Sequence, residues 1–233
     1  MRKMIYALMA LVMMFCGTGC FSKKKFSSNG KSIVTISGQM AGHDYVDLGL
    51  PSGTKWATYN VGATKPTESG DYFAWGETEP KKVYNWDTYK WCKGSNTTMT
   101  KYCDNSKYGT VDNKTVLEAE DDAATANWGS AWRMPTKEEQ DELRKGCDWE
   151  WTEDFNGTGV NGRLGTSKSN GSTIFLPAAG RRYTGLGLAG NDGYYWSSSL
   201  YEDRSGTLYF GGSSIGWGID SRIFGQSVRA VLR

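Results

Sequence analysis

EDDAATANWGSAWRMPTKEE, residues 120–139, concentrates the helical signals of this chain. Pro135 and Thr136 open one helix. Thr136 is suited to be its N-cap, and Glu139, three residues on, supplies the reciprocal partner of a capping box. Downstream, Leu143 and Cys147 fall four residues apart on one face, and Gly146 suits a C-cap. Residues 120–128 form a second helix candidate, whose acidic start complements the helix dipole. Glu118, Glu120, Asp121 and Asp122 together offer oxygen ligands of the kind calcium takes, but a solvated acidic helix start is the favoured reading.

Outward from this centre the pattern turns to short strands. Residues 45–48 run into the turn Gly-Leu-Pro-Ser-Gly, and further strands are expected at 55–59 and 72–75. The pairs Asn156-Gly157, Asn161-Gly162 and Asn170-Gly171 signal tight turns around strands at 163–166 and 173–176. The last candidates are 194–198, 207–210 and 228–232. The chain carries 10 Trp, 13 Tyr and 30 Gly against 5 Pro, with a net charge of +2. That balance fits a loop-rich α+β domain and fits neither a nucleic-acid binder nor a disordered chain. Trp75, Trp128, Trp132 and Trp196 are read as core, not as ligand platforms.

The beginning of the chain reads as a targeting segment. Arg2 and Lys3 precede an apolar run at 4–15 that is short for a bilayer span. Gly17, Thr18 and Gly19 before Cys20 resemble the lipobox of bacterial lipoproteins, which implies lipidation of Cys20 and a membrane anchor. Phe21 stands where an inner-membrane retention signal would place aspartate, so by resemblance the destination is the outer membrane, periplasmic or surface-facing. Residues 1–20 are therefore the signal peptide, 21–40 a Ser/Lys/Gly-rich tether, and 41–233 one domain. In an oxidising envelope Cys92 and Cys103 are expected to close a disulfide across the polar loop between them, leaving Cys147 as a buried thiol.

Five segments, taken in order, resemble the Fibrobacter succinogenes major paralogous domain family: YVDLGLPSGTKWATYNVGA (45–63), GDYFAWGET (70–78), EDDAATANWGSAWRMPTKEE (120–139), FLPAAGRR (175–182) and YYWSSS (194–199). The resemblance implies a C-type-lectin-like fold, with small antiparallel sheets, two helices and long irregular loops. WRMPTKEEQDEL is similar to a helix start in the formylglycine-generating branch of that superfamily, although Gln140 stands where such relatives carry an aromatic. Enzymatic chemistry is not expected. His43 is the lone histidine and sits beside Asp44. No Cys-x-x-Cys, His-x-x-x-His or phosphate loop occurs, and no cysteine follows Cys147 to serve copper chemistry. Glu-Pro-Asn and Trp-Asn-Asp, the sugar motifs of calcium lectins, are also missing, so no cofactor or metal is expected.

The ligand surface is expected near the C-terminus, at Tyr201, Asp203, Arg204, Ile215, Trp217, Ile219, Asp220, Ile223 and Phe224. Residues 211–224 read as an awkward strand and a worse helix, with only Trp217 and Arg222 scaffold-like. Two readings stay open: Ile223 and Phe224 are exposed beside Tyr201, Asp220 and Arg204 as an aromatic-apolar patch with charged edges, or Ile215 and Phe224 pack inward and only the polar residues show. The segment also resembles the variable region of retroelement-diversified proteins, because Gly, Ser, Ile, Asp and Phe are all reachable from a randomised asparagine codon. A template repeat and a reverse transcriptase beside the gene are required by that resemblance. The expected function is recognition or adhesion toward a protein or glycan; the alternative is a structural envelope or fibre-assembly protein.

Overall fold

The computed structural model describes residues 33–232; the signal peptide, Cys20 and the first part of the expected tether lie outside them. Four antiparallel sheets and two short α-helices make up the described chain, which is the expected α+β class. The largest sheet has the order β1-β2-β3-β13-β4, from Gly38–Met40 (β1), His43–Asp47 (β2), Lys55–Ala57 (β3), Val231–Leu232 (β13) and Trp132–Arg133 (β4). The last strand thus slots between the third and fourth and joins both ends of the domain.

Folding starts before residue 41. Gly38 pairs with Tyr45 across β1 and β2, and the Thr35 amide donates to the Thr173 carbonyl at 3.0 Å. Backbone pairing to two separate strands holds residues that composition alone assigned to the tether.

Helix α2, Lys137–Gly146, begins as expected. Thr136 accepts from the Glu139 amide, and the Glu139 carboxylate accepts from the Thr136 amide at 2.8 Å. Gly146 is its last residue, not a left-handed cap. A Cβ there would come within 2.5 Å of the Leu50 side chain, so the glycine lets Leu50 pack directly against the helix end. The other helix, α1, is shorter than residues 120–128 suggested. It spans Ala123–Trp128, with Asp122 as its N-cap and a 3-10 turn at Ala119–Asp121 before it.

After α2 the chain runs through β5 (Cys147–Thr152), β6 (Gly162–Ser167) and β7 (Thr173–Pro177), a three-stranded meander. Strands β8 (Arg181–Arg182) and β9 (Leu186–Gly187) form a small ribbon. A second three-stranded sheet follows, from β10 (Gly193–Tyr201), β11 (Arg204–Phe210) and β12 (Ile215–Ser221). Residues 215–221, read as an awkward strand, therefore form a regular one: β11 offers a paired edge that outweighs the poor alternation. Residues 72–75 go the other way. They make only an isolated bridge from Phe73 to Gln226, because their indoles and amides tie instead to β10 and the C-terminal segment. The Trp75 indole donates to the Ser197 carbonyl at 2.8 Å, and the Trp196 indole to the Phe73 carbonyl at 2.9 Å.

The four tryptophans expected in the core are there. Trp75, Trp132 and Trp196 are fully buried in one cluster with Trp128 at its margin. A second cluster lies under α2 and includes Trp56, Leu143, Tyr195, Leu208 and Phe210. Gln140, at the aromatic position of the resembled family, is buried and donates to the Tyr195 carbonyl at 2.9 Å. A third cluster, around Tyr84, Tyr89, Met99, Tyr108 and Ile223, gives the long loop region its own core.

The expected Cys92–Cys103 disulfide is not formed: both are free thiols. Each sulfur faces a different carbonyl, Cys92 that of Trp86 at 3.2 Å and Cys103 that of Asn105 at 3.1 Å. Cys147 is the buried thiol anticipated, and burial pushes its pKa up to about 12. Native alkylation is expected to label Cys92 first, with Cys103 and Cys147 protected until denaturant is added. A Cys92–Cys103 cross-linked peptide in a non-reducing digest would overturn this arrangement.

Candidate functional site: one face of the C-terminal sheet

The pleat of β10–β12 divides the expected ligand residues. Ile219 pairs with Gly206, Trp217 with Leu208 and Ile215 with Phe210, all on the side that packs toward α2. There Ile215 joins the second cluster, and the Lys137 ammonium lies 4.4 Å from the Trp217 ring centroid. Tyr201 and Ile219 are exposed farther along. Asp203 and Arg204 lie at the β10–β11 turn, where Asn96 donates to the Asp203 carboxylate at 2.9 Å. Asp220 points to the opposite face. Ile223, expected to be exposed in the patch, is instead buried at 3% exposure, because it packs into the third cluster. Arg222, read as scaffold, is fully buried and donates to the Glu202 carbonyl at 2.7 Å.

The face carrying Asp220 gathers residues that the sequence had not singled out. Tyr194 on β10 stands opposite Tyr209 on β11, and Tyr209 opposite Gly216 on β12. A Cβ at Gly216 or Gly218 would lie 3.0 or 3.1 Å from the Tyr209 ring. These two glycines therefore let the ring lie flat across the β12 backbone, where it keeps 42% of its surface exposed. Beside it the Arg181 guanidinium is wedged between two rings, 4.7 Å from the Tyr194 centroid and 4.6 Å from that of Phe224.

Arg181 also forms an ion pair with Asp220. Asp220 accepts from Gln226 at 2.8 Å, and Gln226 in turn accepts from the Thr207 hydroxyl at 2.7 Å. Burial pushes the Asp220 carboxyl upward against the opposing pull of Arg181. Phe224, half-buried, meets the edge of Tyr183 at 5.3 Å between centroids, and Tyr183, Leu186 and Leu188 extend the exposed apolar border along the ribbon. At the hairpin end, Arg163 is buried and donates to the Gly211 and Gly212 carbonyls, which pins the loop between β11 and β12. The result is a rigid aromatic platform with one fixed charge pair, an arrangement suited to stacking and directional hydrogen bonding.

LYF was the signal that could have found Tyr209, which sits between the buried Leu208 and Phe210; YYW, three aromatics in a row, gave no such signal for Tyr194. Arg181 had no local signal, since its partners come from residues 194, 220 and 224.

The remaining candidates for chemistry are occupied. Glu118, Glu120 and Asp121 converge, but the Lys101 ammonium sits among them at 2.6, 3.0 and 2.6 Å, supplying the positive charge that a cation would bring. His43 stacks on Trp128 at 3.9 Å between centroids with its Nδ1 3.4 Å from the Tyr59 hydroxyl, and burial lowers its pKa. That stacking makes it part of the wall over the first cluster.

Searches against protein-family models, curated proteins and solved structures gave no match to this chain.

Proposed function

We propose that this chain is a non-enzymatic recognition or adhesion protein of the cell envelope, held at the outer membrane through a lipid on Cys20, that binds a protein or glycan on the Tyr209 face. The observation that carries the reading is the flat, half-exposed Tyr209 ring over two glycines, framed by the Arg181–Asp220 pair. Tyrosine and arginine on a preordered surface lose little conformational entropy on binding, which is why such residues dominate binding hot spots. The motif resemblance to the Fibrobacter succinogenes major paralogous domain family, and through it to C-type-lectin-like folds, supports the same reading.

The test is an array of glycans and surface proteins probed with the full chain and with the variants Tyr209→Ala and Arg181→Gln. A ligand that loses tenfold or more in affinity to both variants, with unchanged circular dichroism, supports the face as the site. Equal binding by all three proteins sinks it.

One observation favours structural assembly as a second reading. Among the described residues, the backbone of β12 before Ser221 pairs only with β11, whereas Ser221 itself accepts from the Phe224 amide at 3.1 Å, so the outer edge from Ile215 to Asp220 is open to a further strand. Wild-type protein that retains nothing but copies of itself moves this second reading ahead.

A further inference from the structure

Successive residues of β8 point to opposite sides, so Arg182 leaves the Tyr209 face and turns toward a separate pocket of about 370 Å³. Its lining includes Asp71, Tyr72, Lys81, Lys82, Tyr84 and Arg182. Two of these groups are walls. The Tyr72 hydroxyl donates to the Ala179 carbonyl and the Tyr84 hydroxyl to the Tyr72 carbonyl, both at 2.6 Å. Lys81 is spent too, donating to Glu77 at 2.8 Å and to the Thr88 carbonyl at 2.9 Å.

Three charges remain. Among the described residues, the side chains of Asp71, Lys82 and Arg182 have neither an ion-pair partner nor a side-chain hydrogen bond. The Arg182 guanidinium lies 5.0 Å from the Tyr72 ring centroid, which holds its planar fork in place without occupying its donors. Two free cations and one free carboxylate leave the pocket with a net charge of +1 and with an acceptor in the same lining as its donors. A ligand matching that set carries one negative charge for the Arg182 fork and Lys82, and hydroxyl groups that donate to Asp71. The volume lies within the roughly 300–1,000 Å³ range of small-molecule sites and admits a single sugar ring. Inorganic phosphate supplies the charge, but its one or two P–OH groups sit on the anionic centre itself, which the Asp71 carboxylate repels, whereas the hydroxyls of a sugar ring lie away from its carboxylate.

We propose that this pocket binds a carboxylate-bearing sugar, a uronate residue of an acidic glycan. The site is distinct from the Tyr209 face and does not depend on it. Titration calorimetry of the full chain at neutral pH with glucuronate, glucose and inorganic phosphate tests the assignment. Glucuronate is expected to bind saturably, with glucose and phosphate at least tenfold weaker. Arg182→Gln and Lys82→Ala are each expected to lower the glucuronate affinity at least tenfold; Lys82 is exposed, so its truncation leaves the fold intact. No saturable glucuronate binding, phosphate binding of equal strength, or indifference to Lys82→Ala would each overturn the proposal. Since these substitutions lie outside the Tyr209 platform, and Tyr209→Ala lies outside the pocket, the two sites fail separately.

Discussion

Arg229→Ala is expected to lower the unfolding free energy by about 3–5 kcal/mol, because it strands several buried acceptors at once. Arg229 is 1% exposed, and its partners are all uncharged. Its guanidinium donates to Asn60 Oδ1 at 2.8 Å and to the carbonyls of Ala57, Thr58 and Phe175 at 3.2, 3.1 and 3.1 Å. Burial lowers its pKa to about 10, which still leaves it protonated at neutral pH. The backbone on either side is tied to the same region: the Ala57 amide donates to Ala230 and the Val61 amide to Val228. Arg229 thus fastens the C-terminal segment to the loop after β3 and to β7. Desolvating a guanidinium is itself costly, so Arg229→Met, which removes the charge but keeps much of the volume, is expected to lose less than the alanine variant. Urea midpoints at unchanged m-value measure both. A loss below about 1 kcal/mol for Arg229→Ala would mean that water reaches those carbonyls and the residue is no clamp.

That clamp illustrates where reading the chain alone stops. The Thr136–Glu139 capping box was legible because its two partners lie three residues apart and its chemistry is local. The large indoles were legible as core because so much apolar area has few places to go on a domain of this size. Strand β12 was obscured by Gly216 and Gly218, which break alternation, yet those same glycines seat Tyr209. Arg229 looks like an ordinary surface cation in sequence, yet it is buried, as is the scaffold-like Arg222, because carbonyls from distant segments converge on them. The Cys92–Cys103 pairing failed for a related reason. Spacing in the chain permitted a bridge, whereas packing of the third cluster sends the two thiols to separate carbonyls.

The second large effect is expected at Glu139, which is local in sequence but not in its contacts. Besides capping α2, its carboxylate takes the Arg133 guanidinium in a two-pronged pair, with one Nη1 to Oε2 contact of 2.6 Å, and accepts from the Thr54 hydroxyl at 3.0 Å. One side chain therefore holds β4, the first turn of α2 and the approach to β3. Glu139→Ala is expected to cost about 2–4 kcal/mol, combining a lost cap with charge-assisted bonds to a half-buried arginine. Burial alone would raise the Glu139 pKa, but Arg133, the Thr136 amide and the Thr54 hydroxyl outweigh it, so the carboxyl titrates below its usual value of 4.5. Because the folded pKa lies below the unfolded one, the stabilisation is fully present above pH 4.5 and is lost as pH falls through the folded value. Wild-type stability is therefore expected to drop more steeply below pH 4.5 than that of Glu139→Gln, and the two curves converge in acid. Parallel curves from neutral pH down to the acid limit would show that the carboxylate is not what holds these three elements together.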